Sequence, residues 1–96
     1  MRTFLFADLA GFTALTEAHG DEEAAELVGE FESVVSGLVE QHRGETVKTI
    51  GDAVMIHVHD PGEAIHLGLA IVQTLGARSR FPVVRVGIHT GTAVER

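Results

Sequence analysis

The chain has 96 residues, which favours one domain (1–96) with one modest core. Hydrophobic residues make up 45% and charged residues 22%, the balance of a folded globular domain and not of a disordered chain. The absence of Cys excludes disulfides and thiolate sites, and a net charge of −7 with no Trp or Tyr argues against nucleic acid as a partner.

Met1-Arg2-Thr3 leads straight into Thr3-Phe4-Leu5-Phe6-Ala7-Asp8, a short aromatic-rich run ended by an acid. It reads as a buried strand near Thr3–Ala7. With no signal-peptide pattern and no run of the ~20 apolar residues that span a bilayer, a cytoplasmic domain is expected. Ala10-Gly11-Phe12-Thr13 opens a short helix reaching His19, with Gly20 as its stop. Asp21 is placed to N-cap a second helix, with Glu22 and Glu23 at the positive end of its dipole. Leu27, Val28, Phe31, Val34, Val35, Leu38 and Val39 fall at helical steps of three and four, and Arg43-Gly44 closes the segment.

Thr46–Ile50 and Ala53–Val58 are strand-like runs separated by Gly51-Asp52, a two-residue hairpin loop. Asp60-Pro61-Gly62-Glu63 is a helix start, with Asp60 as N-cap, Pro61 at N1 and Glu63 completing a capping box. In that helix Ile65, Leu69, Val72 and Gly76 share one face, widened by Leu67, Ile71 and Leu75. Phe81-Pro82 precedes a last strand near Val83–Ile88. The order, strand, helix in two pieces, strand, strand, helix, strand, predicts an α+β, ferredoxin-like βαββαβ antiparallel sheet. Its spatial order is 4-1-3-2, with strand 1 central and the helices on one face.

On that topology the end of strand 1 and the hairpin turn meet at one sheet edge. Asp8 and Asp52, distant in sequence, become neighbours. Paired carboxylates there suit hard cations, Mg²⁺ or Mn²⁺, that share oxygen ligands with substrate phosphates. The turn at Gly11 and the helix amides after it suit a phosphate. Asp in a turn or at a cap is an equally ordinary structural role. His57 and His59 share one strand face with His66 one helical segment on, a weak pattern for Zn²⁺ against the plainer reading of exposed histidines.

Three motifs then resemble one family. Phe6-Ala7-Asp8-Leu9-Ala10-Gly11-Phe12-Thr13 is similar to the first metal motif of class III adenylate/guanylate cyclases. Lys48-Thr49-Ile50-Gly51-Asp52-Ala53-Val54-Met55 is similar to their second, and Arg85-Val86-Gly87-Ile88-His89-Thr90-Gly91 to their fourth-strand motif. The resemblance covers essentially the whole chain and implies a nucleotide cyclase core of the polymerase-palm type. It implies that Asp8 and Asp52 bind two Mg²⁺ or Mn²⁺ ions per site, with the Leu9 carbonyl as a further ligand. It implies that Gly11, Phe12, Thr13 and Arg85 hold the triphosphate of ATP, and that Lys48 selects the purine, where guanylate cyclases usually carry Glu. A lysine is a donor only and so matches the acceptor N1 of adenine. Taken alone, Lys48 also reads as a charge guarding an exposed strand edge.

In the family the site lies between two head-to-tail subunits, so a homodimer or pairing with another cyclase chain is implied. The activity implied is conversion of ATP to 3′,5′-cyclic AMP and pyrophosphate. Family domains continue past the fourth strand for about as many residues again, and that segment carries a second purine-reading residue and an Asn and an Arg for the transition state. This chain is therefore expected to hold the metal and triphosphate half of the site and to be weakly active or inactive alone. The alternative is a non-catalytic metal- and nucleotide-binding module that pairs with another cyclase chain.

Overall fold

A computed structural model describes residues 2–50, 52–78, 81 and 83–91. The elements are β1 (Arg2–Leu9), α1 (Phe12–His19), α2 (Asp21–Gln41), β2 (Glu45–Ile50), β3 (Ala53–Val58), α3 (Pro61–Gly76) and β4 (Val84–Gly91). The four strands form one antiparallel sheet in the order β2-β3-β1-β4, with β1 inside it, as the ferredoxin-like reading expects.

Alternation along β1 and β3 divides the sheet into two faces. Thr3, Leu5, Ala7 and Leu9 of β1 and Val54, Ile56 and Val58 of β3 are buried. They pack against Leu27, Phe31, Val35 and Val39 of α2 and Ala64, Leu67, Ile71 and Leu75 of α3. Each such Leu, Ile, Val or Phe contributes about 1.5–3 kcal/mol on burial. Thr3 is the one buried polar residue of that face among the described residues, and its hydroxyl is satisfied by Thr90 at 3.0 Å. The opposite face, with Phe4, Phe6 and Asp8 from β1, carries no helix among the described residues.

Several local expectations shift. Asp8 lies inside β1 and does not end it, because the ladder to both neighbours runs on to Asp8 and, on the β4 side, to Leu9. β4 begins one residue later than expected and extends to Gly91, where Arg2 pairs with it. Asp21 is the first residue of α2 and not its cap: Gly20, at φ 86°, turns the chain directly from α1 into α2 with no side-chain cap. The left-handed residue after α2 is Arg43 (φ 58°), not Gly44. Gly44 is needed for space, since a Cβ there would lie 3.2 Å from side chains of both Ile56 and Val39. Asp60 does cap α3, accepting from the Glu63 N–H at 2.9 Å. The Glu63 carboxylate pairs with His42 Nδ1 at 3.2 Å, so only half of the capping box forms. Gly51 and Pro82 lie outside the described residues; the pairing of Ile50 with Ala53 leaves two residues for the hairpin loop, as expected.

The main correction concerns α3. Its buried stripe runs through Ala64, Leu67, Gly68, Ile71 and Leu75, while Ile65, Leu69 and Val72 are exposed. The reason is steric. At Gly68 the helix approaches the sheet so closely that a Cβ would sit 3.2 Å from Val86 Cγ1. The small residues set which face docks, and the large apolar residues beside them are turned outward. Leu67→Ala should therefore cost about 2–5 kcal/mol in urea unfolding, whereas Leu69→Ala should stay within about 0.5 kcal/mol. Equal losses would refute this orientation.

Candidate functional site

The β1 ladder places the sequence-selected residues. Asp8 pairs with Ala53 on one side and Arg85 on the other. Partners in an antiparallel pair share a face, so Arg85 lies on the helix-free face with Asp8, as its Val84 and Val86 flanks require. Asp52 immediately precedes Ala53, and its carbonyl accepts from the Leu9 N–H at 3.3 Å. The end of β1 and the β2–β3 turn are thus bonded together, and the backbones carrying Asp8, Leu9 and Asp52 meet at one edge. A shallow groove lined by Phe6, Asp8, Ala53, Arg85 and Gly87 opens there.

Gly11 N-caps α1 at φ 75°, a left-handed conformation that L side chains rarely adopt. A Cβ there would meet nothing within 4 Å, so the dihedral and not crowding calls for glycine. It reverses the chain between the end of β1 and α1. Phe12 packs its ring against the core and Thr13 is exposed. Among the described residues no side chain caps α1. Its first amides, which lack partners within a helix, are open to an anion.

Lys48 lies on β2 opposite Met55. Counting back from the two-residue loop, Ile50 and Lys48 fall on the helix-free face with Ala53 and Met55. A bulge follows at once: Thr46 pairs with Ile56 and Lys48 with Met55, leaving Val47 unpaired and exposed. Such a bulge bends an edge strand away from further pairing. Lys48 is separated from Asp8 by β3 and, being level with Met55 and Phe6, by two residues along the strands, roughly 12 Å in all by strand spacing and rise. It lines a small apolar hollow with Phe6 and Met55.

The feature that the sequence reading missed is an ion pair. Arg85 Nε–H donates to Asp8 Oδ1 at 3.0 Å and Nη2–H to Oδ2 at 3.2 Å, a fork on both carboxylate oxygens. Strand alternation alone puts both residues on one face; their direct opposition needs the β1–β4 register.

The donor set fits a hard cation. Among the described residues no three His, Cys, Asp or Glu side chains converge. Two carboxylates and a backbone carbonyl leave the remaining positions to water and phosphate oxygens, the habit of Mg²⁺ or Mn²⁺. A closed zinc site would need more nitrogen or sulfur ligands. The histidine pattern is not met either: His57 and His59 stack edge to face at 5.0 Å, with Phe4 5.4 Å from His57. A separate cavity of about 550 Å³ at the far end of the sheet is lined by His42, Arg43, His59, Asp60 and Glu63, and shares no residue with the edge that carries Asp8. No helix among the described residues is long and apolar enough to cross a membrane.

Comparison with known proteins adds independent findings. The family model described as adenylate and guanylate cyclase catalytic domain matches residues 2–96. An adenylate cyclase of Streptomyces coelicolor is 43% identical over 91 residues, covering 95% of this chain and 24% of the relative. An adenylate cyclase of Streptomyces griseus is 40% identical, covering 95% and 23%. The chain thus spans about a quarter of the length of these relatives. The solved structure of a bacterial light-regulated adenylyl cyclase superimposes with a TM-score of 0.81 at 26% identity, covering 91% of this chain and 51% of that one.

The exposed Asp8–Arg85 pair holds little of the fold together. Asp8→Asn and Arg85→Ala should each change the unfolding free energy by less than about 1 kcal/mol, whereas Gly11→Ala should cost about 1–2 kcal/mol through its left-handed backbone. Urea titrations of the three variants check both statements.

Proposed function

The chain belongs to the adenylate and guanylate cyclase catalytic-domain family, and from that membership we propose that it supplies the cation- and triphosphate-binding part of a site that converts ATP to 3′,5′-cyclic AMP and pyrophosphate. The observation that carries this reading is the meeting of Asp8, Leu9 and Asp52 at one sheet edge, beside the uncapped start of α1.

Each residue then has a task. Asp8 and Asp52, with the Leu9 carbonyl, hold the divalent ions. When bound, these ions supply neutralisation of the phosphates and activation of the ribose 3′-hydroxyl. The amides of Phe12 and Thr13, exposed by the reversal at Gly11, bind phosphate oxygens and fix the triphosphate along the sheet edge. Arg85 adds a guanidinium whose five donors match phosphate geometry. Lys48 donates to N1 of adenine and cannot accept the N1–H of guanine. Positioning and charge stabilisation supply most of the rate in phosphoryl chemistry.

The roughly 12 Å between Lys48 and Asp8 agrees with a site shared between two chains as well as with one built in a single chain. We favour the shared site, with a second copy or another cyclase chain as the partner. The chain covers about half of the light-regulated cyclase, so we expect it to bind nucleotide loosely and to turn over weakly, or not at all, by itself.

Calorimetry with Mn²⁺ and ATP should show binding that Asp8→Ala and Asp52→Ala each weaken at least tenfold; binding indifferent to both would refute the site. Cyclic AMP formation by the chain alone should be at least 10²-fold below that of a complete cyclase domain, the loss that one preorganised donor carries; comparable rates would refute the division of the site. Lys48→Glu should lower affinity for ATP relative to GTP. An unchanged ratio would remove Lys48 from the purine site.

A further inference from the structure

The fork between Arg85 and Asp8 occupies both oxygens of a carboxylate that the proposed function assigns to a divalent ion. An arginine cannot be deprotonated in a protein, so a guanidinium and a divalent ion drawn to the same two oxygens repel each other and compete for them. We propose that Arg85 is the resting counter-ion of Asp8: it holds the carboxylate until a divalent ion displaces it, so that cation entry and the release of Arg85 toward phosphate are one coupled event. This rests on the reading of Asp8 as a cation ligand.

Three observations support the exchange. The guanidinium is the only cationic group among the described residues lining the groove at Asp8, the others being Phe6, Ala7, Ala53, Val86 and Gly87. The side chain of Arg85 is 68% exposed and that of Asp8 35%, so water screens the pair and the latch is weak enough to open. A released arm also has somewhere to go. The helix-free face beside Arg85 is uncrowded: at Gly87, level with Phe6, a Cβ would meet nothing within 4 Å. A divalent ion carries twice the charge of the guanidinium and competes for the same two oxygens.

Linkage makes the coupling reciprocal. A triphosphate that draws Arg85 away bares Asp8 for the cation, and a cation at Asp8 frees the donors of Arg85. Cation and nucleotide therefore favour each other's binding beyond their direct contact. Arg85 has two opposed effects: it lowers affinity for the cation alone and raises affinity for cation with nucleotide.

The test is Mn²⁺ binding without nucleotide, followed by the loss of the free-ion electron paramagnetic resonance signal. The full chain, Arg85→Ala and Asp8→Asn are compared. Arg85→Ala should bind Mn²⁺ about two- to five-fold more tightly than the unchanged chain, the range that an exposed ion pair supports, and should bind ATP with Mn²⁺ more weakly. In parallel, Mg²⁺ titration of the unchanged chain should shift the Arg85 Nε–H resonance toward its position in Asp8→Asn. Equal or weaker Mn²⁺ binding by Arg85→Ala, with Asp8→Asn still impaired, overturns the exchange and leaves the site standing. Mn²⁺ binding unaffected by Asp8→Asn overturns the assignment of Asp8 itself, and the exchange with it.

Discussion

The hydrogen-bonded ladder on both sides of β1 is the constraint on which the candidate site depends. One strand, inside the sheet, sets the register of β3 and β4 independently. The same six or eight backbone pairings that bury Leu5, Ala7 and Leu9 bring residue 8 level with residues 53 and 85. A one-residue slip in either ladder would move every side chain of that neighbour to the other face. The burial of the core therefore enforces the geometry of the polar face, although the two share no side chains.

That separation has an energetic consequence. The helix-covered face holds the large fully buried residues and the satisfied Thr3–Thr90 pair, and stability comes from there. The open face carries half-exposed charges whose interactions are screened. Groups at Asp8, Arg85 and Lys48 are free to exchange partners without unfolding the sheet, which a buried and fully paired cluster could not do. The acidic balance of the chain points the same way: with a net charge of −7, a half-exposed carboxylate such as Asp8 is favoured by a local counter-charge.

Most of this was legible in the residues, for identifiable reasons. The order of the elements and the two-residue loop between Ile50 and Ala53 gave strand order and the meeting of the chain at Asp8 with that at Asp52. Phe31, Val35 and Val39 gave the docking face of α2. The face of α3 was not legible from hydrophobicity, because Ile65, Leu69 and Val72 are as apolar as the residues that docked. Steric fit at Ala64 and Gly68 decided it. The bulge at Val47 and the left-handed Arg43 leave no mark in composition. The Arg85–Asp8 fork was half legible: each residue had been selected, but their opposition is a property of register between positions 77 residues apart, and no local pattern encodes it.

The fork also bears on how the two halves of the proposed chemistry communicate. If phosphate and cation sites were independent, each would need its own counter-charge at rest, and the open face would carry two unpaired groups of opposite sign. Pairing Arg85 with Asp8 satisfies both with one contact and leaves the uncapped start of α1 as the remaining electropositive element at that edge. On the proposed reading, a nucleotide arriving with its cation would meet Asp8 and Arg85 already paired with each other, each complementary to one part of the ligand. On that reading, the exchange converts one protein–protein ion pair into two protein–ligand ones. That is an economical arrangement for a shallow, solvent-open groove, where no burial exists to hold isolated charges in place.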